Sequence, residues 1–96
     1  MFFPLTPEET MQDLAQKAKS LRLEANLTRA GLASRSGVSS EPIKRFENTD
    51  QISLKSLLNL AQALRRIADF ENIFSPPDVR DHYLPRSKKF SDKEDG

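Results

Sequence analysis

Residues 39–48 read SSEPIKRFEN, a stretch dense in side chains that hydrogen-bond at short range: Ser39, Ser40, Glu41, Lys44, Arg45 and Asn48. Arginine and lysine pair with guanine O6 and N7 or with phosphate, a carboxylate accepts from a cytosine amino group, and serine serves either as donor or acceptor. Across residues 36–48 only Val38, Ile43 and Phe46 are large and apolar, so a helix here has a narrow core face and a broad polar one. That is the chemistry of recognition. Bond-making chemistry finds little to use: the chain has no cysteine, one histidine at position 82, and glycines only at 31, 37 and 96. A nitrogen- and sulfur-liganded zinc site therefore lacks a ligand set, no phosphate-cradling glycine loop exists, and neither a cofactor nor a catalytic residue is expected.

Charge placement agrees with a polyanionic partner. The whole chain carries only +1, but residues 17–66 hold ten cations against four acids, a net +6, flanked by −3 over residues 1–16 and −2 over 67–96. Such an asymmetry favours a polyanion at one face, although a solvated helical surface carries charges too. Ninety-six residues make one domain with a tail. The absence of cysteine fits a reducing compartment, and the start MFFPLTPEET has neither the basic stretch nor the long apolar run of a secretory signal. No run approaches the roughly 20 apolar residues of a membrane span, so a cytoplasmic protein without membrane contact is expected.

The elements that must position these side chains are helices. Thr6-Pro7-Glu8-Glu9 combines a capping residue, proline at the first helical position and a carboxylate three residues after the cap, which starts a helix at Pro7 running to about Glu24. Met11, Leu14, Ala18 and Leu21 form its apolar face. Thr28 caps a second helix of about eight residues with Leu32 and Ala33 inward, and Gly37 ends it in the left-handed conformation. Ser39 caps a third helix, with Pro42 at its third position, where no helical donor is needed. The Ser39 hydroxyl is then expected on the N–H of Glu41, and the helix to end near Asn48. Ser53 caps a fourth helix with Leu54, Leu57, Leu58, Ala61 and Leu64 on its apolar face. Asp69 caps a short fifth helix over residues 70–74, stopped by Ser75-Pro76-Pro77. Residues 76–96 read as a flexible charged tail.

Two short helices joined by a tight turn at Gly37-Val38, the second polar on its outer side, make a helix-turn-helix, whose second helix enters the major groove. Residues 27–64 resemble the XRE (Cro/cI-like) helix-turn-helix family. The pattern lies in Leu27-Thr28, Leu32-Ala33, Gly37-Val38-Ser39, Ile43, Phe46-Glu47, Leu54, Leu57-Leu58 and Leu60-Ala61-Gln62-Ala63-Leu64, with Arg22 where the family's first helix often carries arginine. The resemblance implies an all-α, five-helix, lambda-repressor-like domain over residues 6–75. It also implies base contacts from Ser39, Ser40, Glu41 and Arg45, and phosphate contacts from Thr28, Arg29, Lys44 and Asn48. Arg29 replaces a customary glutamine, Pro42 is unusual inside the helix, and Thr49-Asp50 replaces a glycine and a cation. Glu41 has an alternative role at the helix dipole.

A second resemblance, carried by residues 70–77 and the charged tail, is to HipB-type antitoxins, which bind HipA-like kinase toxins and repress their own operons. Phe2, Phe3, Phe70, Ile73 and Phe74 form a terminal apolar excess, and Phe70, Ile73 and Phe74 are read as a dimer or partner interface, with a local cluster closing the domain as the alternative. One helix reads few base pairs, so a homodimer on a palindromic operator, with half-sites about 34 Å apart, is expected. The competing reading is a protein-interaction module for a toxin-like partner, with little DNA affinity of its own.

Overall fold

The computed structural model describes residues 5–76. Within them the chain is all helical: α1 (Pro7–Glu24), α2 (Arg29–Ser36), α3 (Ser40–Thr49) and α4 (Leu54–Ala63), then a 3-10 turn (Ile67–Phe70). Helix α1 starts as its sequence dictates. The Glu9 N–H donates to Thr6 Oγ1 at 3.1 Å while the Thr6 N–H donates to Glu9 Oε1 at 3.0 Å, so two donors at the helix start are satisfied reciprocally. It ends at Asn26 (φ 59°), where the Asn26 N–H reaches the Leu23 carbonyl and the Leu27 N–H the Arg22 carbonyl.

Thr28 Oγ1 accepts from the Gly31 N–H at 2.9 Å and starts α2. Gly37 closes it at φ 77°, its N–H donating to the Ala33 carbonyl at 2.9 Å. The chain then turns through Val38, only 5% exposed, straight into α3. Helix α3 packs on both α1 and α2, and α2 also packs on α4. The core is Ala15, Leu32, Val38, Ile43, Phe46 and Leu60, ringed by Leu14, Ala18, Leu27, Ala33, Ile52, Leu57, Ala63 and Leu64. Burying each of its large side chains stabilises by about 1.5–3 kcal/mol, so Phe46, Leu32, Ile43 and Leu60 dominate.

Several local expectations are corrected. On α1 the deepest positions are Ala15 and Arg22; Met11 and Leu21 are only half-buried. Ser39 sits at the start of α3 but its hydroxyl makes no capping bond, because Pro42 has removed the donor that such a hydroxyl often serves. The helix runs to Thr49, and Asp50, not Asn48, takes the left-handed conformation at φ 66°. Leu54, the first residue of α4, is 68% exposed and no part of the inward face.

The fifth helix does not form over residues 70–74. Its place is taken by the 3-10 turn ending at Phe70, and Asp69 lies inside that turn, paired with Arg66 at 2.9 Å. The five residues 70–74 are too few to nucleate an α-helix without a cap. Phe2, Phe3 and, apart from Pro76, the expected tail lie outside the described residues. Among the described residues no helix is long and apolar enough to cross a membrane.

Candidate nucleic-acid interface

Ile43 and Phe46 anchor α3 to the core at 1% and 2% exposure. With that face fixed, the helical period sends positions 41, 44, 45 and 48 to the opposite side, spaced as one continuous stripe. Glu41, Lys44, Arg45 and Asn48 are accordingly all exposed, with Ser39 and Ser40 exposed at the helix start. Lys44 and Arg45 make no ion pair among the described residues. The structure thus gathers the six expected side chains on or at the start of one short helix. Among the described residues none of these six side chains is taken up in a hydrogen bond, and beside them the Thr49 hydroxyl donates to the backbone carbonyl of Arg45 at 2.7 Å.

At one flank of that stripe lies a cluster of charges that no local pattern reveals. Glu47, with a side chain only 2% exposed, accepts from Arg22 at two points, Nε to Oε2 at 2.8 Å and Nη2 to Oε1 at 3.1 Å. Arg22 spends Nη1 on the Leu27 carbonyl at 2.8 Å, which ties the α1–α2 turn to the same group. Arg29, the first residue of α2, adds a bond from Nε to Glu47 Oε1 at 2.9 Å. One carboxylate therefore joins three helices.

Burial pushes the Glu47 carboxyl up, but the hydrogen bonds and positive charges of Arg22 and Arg29 outweigh it and hold the group below its ordinary value. Two cations around one anion leave the cluster with a net positive charge, and it is Arg29, about a third exposed, that presents it outward. Arg29 is thus committed to Glu47 through Nε, and its two terminal amino groups remain unbonded among the described residues. Thr28 beside it uses its oxygen to cap α2 and keeps its own proton to donate. The sequence reading named Arg22, Arg29 and Glu47 separately; the pairing of residues 25 and 18 positions apart had no local signal.

The three residues read as an interface divide. Phe70 is half-buried and Ile73 half-exposed, and both line a groove of about 620 Å³ bounded by α1, α4 and the 3-10 turn, whereas Phe74 is fully exposed. Phe70 in part closes its own domain. Comparison of the chain with protein-family models, with curated proteins and with solved structures gives no match.

Proposed function

We propose that α2 and α3 form a helix-turn-helix of the XRE (Cro/cI-like) kind and that the chain is a sequence-specific regulator of transcription, a repressor binding double-stranded DNA. The observation that carries this reading is the outward stripe of α3. Four hydrogen-bonding side chains, two of them cations without an ion pair among the described residues, stand exposed on a helix whose opposite side is locked into the core. Arg45 and Glu41 are placed to meet base edges together with Ser39 and Ser40. Lys44, Asn48, Thr28 and the free amino groups of Arg29 meet phosphates on either side.

In this reading the protein acts as a homodimer on a palindromic operator in the cytoplasm. Its setting is an operon encoding a HipA-like kinase toxin, with this chain as the HipB-like antitoxin that represses it. The exposed Ile73 and Phe74 favour a protein partner as well, and the reading as an interaction module with little DNA affinity rests on them.

Binding to the chain's own upstream DNA and to a scrambled duplex, at about 50 and 200 mM salt, tests the proposal, since phosphate contacts release counterions and lose affinity steeply over that range. A preference for the upstream duplex that persists at the higher salt is expected. Arg45→Ala should then cost about 1–3 kcal/mol on the preferred site only, while Arg29→Ala weakens all duplexes alike. Equal affinity for both duplexes at both salts would overturn the reading.

A further inference from the structure

We propose that Glu47 is a positioning residue for DNA binding: it holds the Arg29 guanidinium through Nε so that the Nη1 and Nη2 edge stands as a preset fork for a backbone phosphate, while Arg22 is withdrawn from the partner. This deepens the preceding reading and rests on it for the identity of the anion, a phosphate of double-stranded DNA. Both arginines meet the same carboxylate, yet their bonding differs. Arg22 places Nε and Nη2 on the two oxygens of Glu47 (2.8 and 3.1 Å) and Nη1 on the Leu27 carbonyl (2.8 Å), with a side chain 8% exposed. Each of its three nitrogens is engaged. Arg29 makes a single bond among the described residues, Nε to Glu47 Oε1 at 2.9 Å, and its side chain is 34% exposed.

A guanidinium is planar and its donors point in fixed directions, so fixing Nε on Glu47 fixes the direction of the Nη1 and Nη2 edge as well. That edge matches two phosphate oxygens, and a fork already oriented loses less freedom on binding than a free one. Glu47 suits the task because it is itself immobile. Its side chain is 2% exposed and clamped by Arg22, and its helix is anchored by Ile43 and Phe46 in the core. Nor does its charge repel the phosphate, since two cations share it and the cluster stays net positive.

Two other roles for Glu47 lead to different outcomes. A carboxylate that only joins three helices affects stability and leaves the contribution of Arg29 to DNA affinity unchanged when it is removed. A carboxylate that only screens charge has the opposite effect from positioning: Arg29 freed of its counterion attracts phosphate more strongly, and losing it costs more. Positioning alone makes Arg29 contribute less once Glu47 is gone. It also makes lysine a poor replacement for Arg29, because an ammonium drawn to Glu47 has no second planar edge to offer.

The test uses the full chain with the upstream duplex and its scrambled counterpart at about 100 mM salt, where phosphate contacts still contribute. Wild type, Arg29→Ala, Arg29→Lys, Glu47→Gln and the Glu47→Gln, Arg29→Ala double variant are compared, each arginine change against its own background. Arg29→Ala is expected to raise Kd about tenfold in the wild type and no more than about threefold beside Glu47→Gln. Arg29→Lys leaves the buried pair of Arg22 and Glu47 in place, and its Kd should lie nearer that of Arg29→Ala than that of the wild type. Without DNA, the Arg29 Nε–H should exchange with water about tenfold more slowly than that of the exposed, unbonded Arg45, and lose this protection in Glu47→Gln. An equal or larger loss from Arg29→Ala beside Glu47→Gln, wild-type affinity in Arg29→Lys, or an Arg29 Nε–H that exchanges as fast as that of Arg45 would overturn the proposal. Absence of binding to either duplex would overturn both readings. The expected pattern on both duplexes with no preference for the upstream one would refute the preceding reading alone, and a sequence preference with equal Arg29→Ala losses would refute this one alone.

Discussion

Replacing Glu47 by glutamine tests how the helix proposed to meet DNA is held against α1 and α2. Glutamine keeps the shape and, with its oxygen at the Oε1 position, the bonds from Arg22 Nη2 and Arg29 Nε. It sets an NH2 group against Arg22 Nε, where Glu47 Oε2 now accepts at 2.8 Å, and it removes the only negative charge of the cluster. A hydrogen bond to a charged group contributes about 1.5–3 kcal/mol, and a buried ion robbed of its counterion costs about 3–5 kcal/mol. Arg22 keeps the Leu27 carbonyl and Arg29 is a third exposed, so the expected loss is intermediate, about 2–4 kcal/mol. For a domain whose total stability is on the order of 4–10 kcal/mol, that is a large share but leaves a folded protein to measure.

Urea denaturation followed by circular dichroism at pH 7 gives the difference directly. Its pH dependence gives an internal check. Because the folded state holds the Glu47 carboxyl below its ordinary value, its contribution is complete above the unfolded value and is lost as pH falls through the lower folded one. The gap between wild type and Glu47→Gln should therefore be full at pH 7 and narrow as the pH falls below the usual carboxylate range. A gap under about 0.5 kcal/mol at pH 7, the level of an ordinary surface change, or one that stays constant into acid, would refute the reasoning.

Other perturbations separate capping from recognition. Ser39→Ala should leave stability within about 0.5 kcal/mol, whereas Ser53→Ala, which removes the acceptor for the Ser56 N–H, should cost about 1 kcal/mol in the same urea titration. Gly37→Ala should cost about 1–2 kcal/mol through its φ of 77° alone, since an added Cβ meets nothing within 4 Å; Gly37→Asn should recover part of that loss. Arg65, left-handed at φ 64° after α4, should gain thermal stability on conversion to asparagine, by a few tenths of a kcal/mol.

Local signals carried most of the helical framework. The Thr6 capping box, Thr28, Gly37 and Ser53 all mark helix ends through chemistry confined to four or five residues, and each stands where its pattern places it. What escaped depended on the third dimension or on competition within a motif. Periodicity gives an apolar stripe on α1 but not which edge of it meets α3, so the small Ala15 and the cation Arg22 were not recognised as its buried positions. Leu54 fits the α4 period, yet at the first helical position it overhangs the core. Pro42 deprived Ser39 of a usual capping partner, and a few residues after Asp69 could not sustain a regular helix. The candidate stripe was legible because it needs only the core positions Ile43 and Phe46 and the helical repeat. The Arg22–Glu47–Arg29 cluster was not, because its members come from three helices.

Selection of duplexes from a random pool by the full chain, followed by sequencing of what is retained, tests most directly the claim that α3 reads DNA. The account predicts enrichment of a palindrome with half-sites about one helical turn, roughly 34 Å, apart, and relaxed preference at one symmetric pair of positions when the selection is repeated with Arg45→Ala. A pool that emerges without sequence preference would contradict it.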